Sequence, residues 1–271
     1  MKNIAIYGKS ISENNLKFLE AHSTGGQQTS DNFIFDSNSG WAKSNDSEYQ
    51  SWMWKRHAGF DVVTYKGNGV DLYTNPRFVP HNLNKIPEMV WIKYRYKSGS
   101  SYSGDMWYVY HKGLNGGTNP QNYYIYLDLN NAEGTSSTYW DQTAPTAINF
   151  TVGNVSDANN TNQNYISMLF ASVDGISKVG YYDGSSSEKT VTTGFTPRFL
   201  FIKKTNGSGS WMVFDTLRGL APSGNDRPLM FESPNAEGDF GANVISTTST
   251  GFVMPGNVEN DINYASGKYI Y

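Results

Sequence analysis

Cysteine is missing from all 271 residues, so disulfides, thiolate metal sites and cysteine nucleophiles are excluded together. Charge is scarce as well. Charged residues make up 17% of the chain, below the ~25% of an ordinary globular protein. The 21 Lys and Arg nearly balance 24 Asp and Glu for a net charge of −3. With no basic run there is no footprint for tracking a phosphate backbone, and nucleic acid is excluded as an expected partner. No apolar stretch approaches the ~20 residues of a membrane helix, so no membrane insertion is expected. The segment Met1-Lys2-Asn3-Ile4-Ala5-Ile6-Tyr7-Gly8 lacks the apolar core of a signal peptide. Helical periodicity is equally thin: Leu16 to Ala21 and Tyr165 to Val173 reach a couple of turns, have no matched caps and suit strands as well.

Aromatic residues and turn formers are abundant. Phe, Tyr and Trp reach 15%, with 19 Tyr and 7 Trp, and 27 Gly and 10 Pro fall with Asn, Ser and Thr between short runs of strand formers. Alternating runs occur at 61–65, Met89-Val90-Trp91-Ile92-Lys93, Met106-Trp107-Tyr108-Val109-Tyr110, 124–128 and 199–203. These lengths and their punctuation predict an all-β chain of about ten to fourteen strands, paired antiparallel in sandwiches or barrels.

An internal repeat organises the chain. Trp107-Tyr108-Val109-Tyr110 answers Trp211-Met212-Val213-Phe214, and Asn131-Ala132-Glu133-Gly134 recurs as Asn235-Ala236-Glu237-Gly238. In both copies the Asn lies 24 residues after the Trp (131 − 107 and 235 − 211), a coincidence of order and spacing that marks a duplication. Upstream, Ile86 to Lys93 parallels Thr196 to Lys203, and Val63 to Gly67 parallels Val179 to Gly184. Downstream, Gly153-Asn154 answers Gly256-Asn257 and Tyr165-Ile166 answers Tyr269-Ile270. The expected organisation is a partial N-terminal repeat or assembly arm over 1–57, a first full repeat over 58–173 and a second over 174–271. In this frame the chain starts mid-repeat and ends inside a strand, which predicts a permuted domain or a strand supplied by another chain.

The phrases Phe60-Asp61-Val62-Val63-Thr64-Tyr65-Lys66-Gly67-Asn68-Gly69, His81-Asn82-Leu83 with Ile86-Pro87-Glu88, and Phe170-Ala171-Ser172-Val173-Asp174-Gly175 resemble a tandem repeat common in bacteriophage tail-fibre and virion structural proteins. Gly194 to Lys203, followed by Trp211 and Phe214-Asp215-Thr216-Leu217-Arg218-Gly219, resembles it too. The resemblance implies tandem lectin-like or jelly-roll-like antiparallel β-sandwiches and a place in the virion. It also implies other virion tail proteins as partners, and a homo-oligomer, a trimer, as the assembly. It supplies no catalytic residues.

Candidate chemistry is sparse. Asp128 with Glu133 and Glu232 with Glu237 are carboxylate pairs of the kind glycoside hydrolysis needs, but Glu133 and Glu237 sit in the repeated Asn-Ala-Glu-Gly, where a shared turn hydrogen bond is the simpler reading. His22, His57, His81 and His111 have no metal-ligand spacing, and no Gly-x-Ser-x-Gly elbow precedes a helix. Asn154 to Asn160 offers oxygen ligands without the spacing of a calcium loop. No cofactor, no metal site and no enzyme activity are therefore expected.

Trp91, Trp107 and Trp211 lie on repeated strands and are expected in the core. Aromatic residues that the repeat does not share are the candidates for sugar binding, where a ring stacks on a pyranose while Asn, Asp and Arg hold its hydroxyls. They are Tyr139 and Trp140, Trp41, and Tyr96 beside Arg95; packing against a neighbouring subunit explains them equally well. Three functions stay open: a virion tail component that contributes to attachment to host surface polysaccharide, a carbohydrate-binding module outside any virion, and a glycan depolymerase. The first fits the resemblance best.

Overall fold

A computed structural model describes residues 54, 59–69, 77–96, 106–216, 218–220 and 224–271. The chain divides into two compact units, Met1–His57 and Ala58–Tyr271. The described residues apart from Trp54 belong to the second unit. The expected N-terminal partial copy, its possible helix at 16–21 and Trp41 lie outside the described residues.

The fold is all-β, with sixteen strands among the described residues: β1 (Phe60–Lys66), β2 (Arg77–Pro80), β3 (Met89–Tyr96), β4 (Tyr108–His111), β5 (Tyr123–Tyr126), β6 (Gly134–Thr135), β7 (Asn149–Val152), β8 (Asn164–Phe170), β9 (Tyr181–Asp183), β10 (Lys189–Thr192), β11 (Phe199–Lys204), β12 (Trp211–Asp215), β13 (Leu229–Met230), β14 (Ser246–Thr248), β15 (Gly251–Met254) and β16 (Lys268–Ile270). The excess over the expected number comes from pieces such as β6, β13 and β14, too short to carry a period-two signal. The segment 165–173 resolves as strand β8 followed by a loop. The polar run 154–160 contains one helical turn, α1 (Ser156–Asn159).

Both copies build the same pair of sheets. In the first, a large sheet runs β1-β8-β3-β4-β5-β6 and faces the two-stranded β2-β7. In the second, β9-β16-β11-β12-β13 repeats that order, opposite β10-β15-β14. All the ladders among the described residues are antiparallel, and none mixes the copies. The duplication extends to side-chain detail. Tyr65 stacks on Tyr165 at 5.1 Å while its hydroxyl donates to Ala158 O at 2.6 Å. Tyr182 stacks on Tyr269 at 5.0 Å and donates to Ile262 O at 2.6 Å. Asn159 and Asn263, both fully buried, use Oδ1 to accept the backbone N–H of Asn68 and Ser185. Each of these satisfies a polar group that burial would otherwise penalise by about 1–3 kcal/mol.

Each copy has its own core between its two sheets. Val79, Val90, Ile92, Phe150, Val152 and Leu169 fill the first; Val191, Ile202, Met212, Phe214, Phe252 and Met254 fill the second. Strand alternation sends Val90 and Ile92 inward, which points Met89 and Trp91 the other way, yet all four are at most 1% exposed. The cover on that opposite face is the second copy: Trp91 meets Phe201 and Phe231, each at 5.8 Å, and Phe201 meets Trp211 at 5.8 Å. The alternation in 89–93 and 106–110 therefore reflects two buried faces. Independent tandem sandwiches would each expose one.

Several polar groups link the two copies across the join. Trp211 Nε1 donates to Tyr126 O at 2.7 Å, Glu133 N to Thr205 O at 2.8 Å and Gly209 N to Asn130 O at 2.9 Å. Lys203 is fully buried and donates through Nζ to Asn130 O and Gly209 O; burial pushes its pKa down to about 8. His111, also fully buried, donates from Nε2 to Tyr271 O at 3.2 Å and accepts Gly113 N–H at Nδ1 at 2.9 Å. That requires the neutral tautomer, and burial holds the imidazole pKa down to about 3.

Candidate functional site

A polar pocket of about 490 Å³ opens in the first copy, beyond the His111 end of β4. Asn115, Asn119, Asn122, Tyr123, Thr135, Ser136, Ser137 and Gln142 line it. Two tight turns between β4 and β5, Leu114–Gly117 and Pro120–Asn122, make one wall; β6 and the loop after it make the other.

Local sequence explains the unusual wall. Asn119 precedes Pro120, whose ring keeps the preceding residue out of the right-handed helical region, and Asn119 takes φ 48°. Asn115 at φ 52°, Asp141 at φ 50° and Gln142 at φ 49° also adopt the left-handed region. Asn and Asp tolerate it through local hydrogen bonds; Gln gains no such relief. Strain of this kind persists only where the surroundings over-determine it, and it collects at ligand clamps. Here the surroundings are visible. Glu133 Oε2 accepts Asn115 N–H at 2.8 Å, Ser136 N donates to Asn122 O at 2.8 Å, and Asn115 Nδ2 donates to Thr118 O at 2.8 Å. The second copy supports the same turn from behind, because Tyr181 packs so closely on Gly113 and Gly117 that neither could carry a Cβ. Burial raises the Glu133 carboxyl pKa, opposed by the Asn115 N–H and by Lys268.

The second copy shows what this locus becomes with other side chains. Tyr108 pairs with Tyr126 and Met212 with Met230, so Asn122 corresponds to Asp226, Tyr123 to Arg227, Thr135 to Asp239 and Ser136 to Phe240. The matching bond, Phe240 N to Asp226 O at 3.2 Å, supports that register. In sequence, Leu114-Asn115-Gly116 answers Leu217-Arg218-Gly219. There Arg218 pairs with Asp215 at 2.8 Å and Glu237 at 3.3 Å, while Arg227 reaches Glu237 at 3.5 Å and Asp239 at 3.7 Å. Phe240 stacks on Phe214. Uncharged amides and hydroxyls in the first copy thus stand where ion pairs and a phenyl ring draw the second together.

The candidates from sequence do not form one site. Trp140 is 3% exposed and packs on Tyr110; its Nε1 donates to Tyr123 O at 2.8 Å. It positions the pocket wall from inside the core, and its burial removes it as a stacking surface. Tyr139 lies in a tyrosine cluster, 4.3 Å from Tyr124 and 4.6 Å from Tyr108 between ring centres, and Tyr108 donates to Asp157 Oδ2 at 2.6 Å. Burial raises the Tyr108 and Tyr139 hydroxyl pKa values. Arg95 is exposed and Tyr96 ends β3, opposite Asn164; the pocket lies at the other end of the sheet, where Met89 faces His111. Trp41 is outside the described residues. Sequence reading missed Asn115, Asn119, Asn122, Tyr123 and Gln142. Aligning the two copies through the Asn-Ala-Glu-Gly motif, with a one-residue offset in this loop that sets Leu114 on Leu217, would have exposed the exchange of Arg218 for Asn115.

The carboxylate pairs have structural work. Asp128 Oδ1 accepts Trp107 N–H at 3.0 Å and Glu232 Oε2 accepts Trp211 N–H at 3.1 Å, each across 21 residues. Glu133 secures the loop after β4 through Asn115, and Glu237 the loop after β12 through Arg218. Among the described residues, no three His, Cys, Asp or Glu gather as a metal site, and no helix is long and apolar enough to cross a membrane.

Fold and pocket together define a duplicated all-β sandwich protein with an open, uncharged pocket in its first copy. Across residues 8–271 the chain matches the family described as Domain of unknown function (DUF7483), and it belongs to that family. No curated protein and no solved structure matches it.

Proposed function

We propose that the protein is a non-enzymatic virion tail component that contributes to attachment to host surface polysaccharide. The observation that carries the attachment role is the pocket, whose lining is entirely carboxamide, hydroxyl and tyrosine. Its volume falls within the ~300–1,000 Å³ of small-molecule sites, yet it is far more polar than most, which suits a ligand made of hydroxyls. The virion setting rests on the resemblance of 60–69, 170–175 and 194–219 to tail-fibre repeats. The non-enzymatic part rests on the carboxylates already committed to backbone and guanidinium partners.

Labelled full-length protein is applied to host cells before and after their surface polysaccharide is stripped. Binding that disappears with the polysaccharide is expected. Folded protein that ignores intact cells would overturn the attachment role, and release of reducing sugar from isolated polysaccharide would overturn the non-enzymatic one.

A further inference from the structure

We infer that the pocket selects one neutral pyranose ring and rejects acidic sugars, an inference that rests on the attachment role proposed above. Four carboxamides, Asn115, Asn119, Asn122 and Gln142, line it together with the hydroxyls of Thr135, Ser136 and Ser137. A carboxamide carries a donor and an acceptor side by side, and a sugar hydroxyl is itself both, so neighbouring hydroxyls of one ring match such a set. Tyr123 supplies the face on which the C–H side of that ring stacks, and the Trp140 hydrogen bond to its carbonyl fixes its place.

The selection against acid has two sources. Asn122 Oδ1 is buried and accepts no hydrogen bond among the described residues. Once the Asn122 carboxamide turns toward the pocket it lines, this unmet acceptor favours a donor: a sugar hydroxyl at that ring position provides one, whereas a carboxylate at the same position offers only further acceptors. Charge acts in the same direction. No Lys or Arg lines the pocket, Glu133 holds the Asn115 turn from beside it, and Asp141 adjoins Gln142 in the chain. An anionic ligand meets those carboxylates there and finds no Lys or Arg in the described lining to pair with. At the corresponding described residues of the second copy, Arg227 and Asp239 pair with each other and Phe240 stands in place of Ser136.

The test titrates the full chain with methyl glycosides of glucose, galactose and N-acetylglucosamine, and with glucuronic and sialic acids, followed by saturation-transfer NMR. At least one neutral glycoside should bind, with both acids at least tenfold weaker. Asn122→Asp, which keeps the shape and adds a charge, and Tyr123→Ala should each weaken that glycoside tenfold or more. Arg227→Ala in the second copy should leave it unchanged. Equal or tighter binding of an acid, silence from all three glycosides, or wild-type affinity in Asn122→Asp with an unchanged melting temperature would overturn the inference. Cell binding separates the levels: if Asn122→Asp still binds intact cells like wild type, attachment stands and this pocket is not its site. If wild type does not bind cells, the attachment role itself falls.

Discussion

The loop after β4 and the loop after β12 begin from the same strand pairing and end as opposite surfaces. In the first copy, Asn115 stands on strained backbone beside an open pocket. In the second, Arg218, only 10% exposed along its side chain, gathers Asp215, Glu237 and the carbonyls of Val213 and Arg227. The duplicated fold therefore keeps its scaffold bonds in both copies, such as Trp107 N–H to Asp128 and Trp211 N–H to Glu232, while the side chains around the matching loops diverge. Ion pairing stabilises one loop from within. The other takes its support from outside, through Glu133 and the Tyr181 that presses on its glycines.

Making the first loop imitate the second is the severest break of that comparison. Ser136→Phe, which installs the counterpart of Phe240, should fill the recess and reduce polysaccharide-dependent cell binding at least a hundredfold, while circular dichroism keeps the wild-type β spectrum. The reverse damage belongs to the second loop. Arg218→Ala takes the guanidinium from Asp215, Glu237 and two carbonyls, and should cost about 3 kcal/mol of stability in a urea melt. Asn115→Ala, at the matching place, should cost less than about 1 kcal/mol.

Acid sharpens the contrast at the strand ends that lead into these loops, where His111 of the first copy answers Asp215 of the second. The folded imidazole titrates at about 3, below its unfolded value near 6.5, so from pH 6.5 downward the unfolded chain binds a proton that the folded chain refuses. Stability from this group is complete above pH 6.5 and drains away as pH falls toward 3. Between pH 6.5 and 4.5 it should amount to about 2 kcal/mol, a slope that His111→Gln removes in paired denaturation curves. The smallest effect concerns strain: Gln142→Gly should raise stability by about 0.5–1 kcal/mol by relieving a left-handed φ, while loosening the pocket rim and weakening binding a fewfold.

Much of this architecture was legible in advance. Trp107 and Trp211 lie at the same distance from their Asn-Ala-Glu-Gly motifs, and β4 and β12, the strands at which they lie, hold the same place in their sheet orders, since a preserved separation preserves strand register. The turn role of Glu133 and Glu237 was legible for the same reason. The pocket was not, because its lining comes from two turns, a two-residue strand and a loop, none of which carries a period or a motif. Trp140 misled for a physical reason: an unshared aromatic residue in a Thr- and Ser-rich segment suits an exposed stacking ring and a core plug alike, and sequence gives no sign of which way the loop folds.

Absent cysteine, scarce charge, clustered turn formers and an internal duplication determined that the chain is all-β and built twice, because those properties act through local backbone preference and repeat spacing. Tertiary structure decided the rest. Only packing shows Trp91 meeting Phe201 and Phe231, burying both faces of a strand whose alternation promised one. Only the closure of distant loops brings Asn115, Asn122, Ser136 and Gln142 to one cavity, since a recess belongs to the gaps between elements rather than to any segment of the chain.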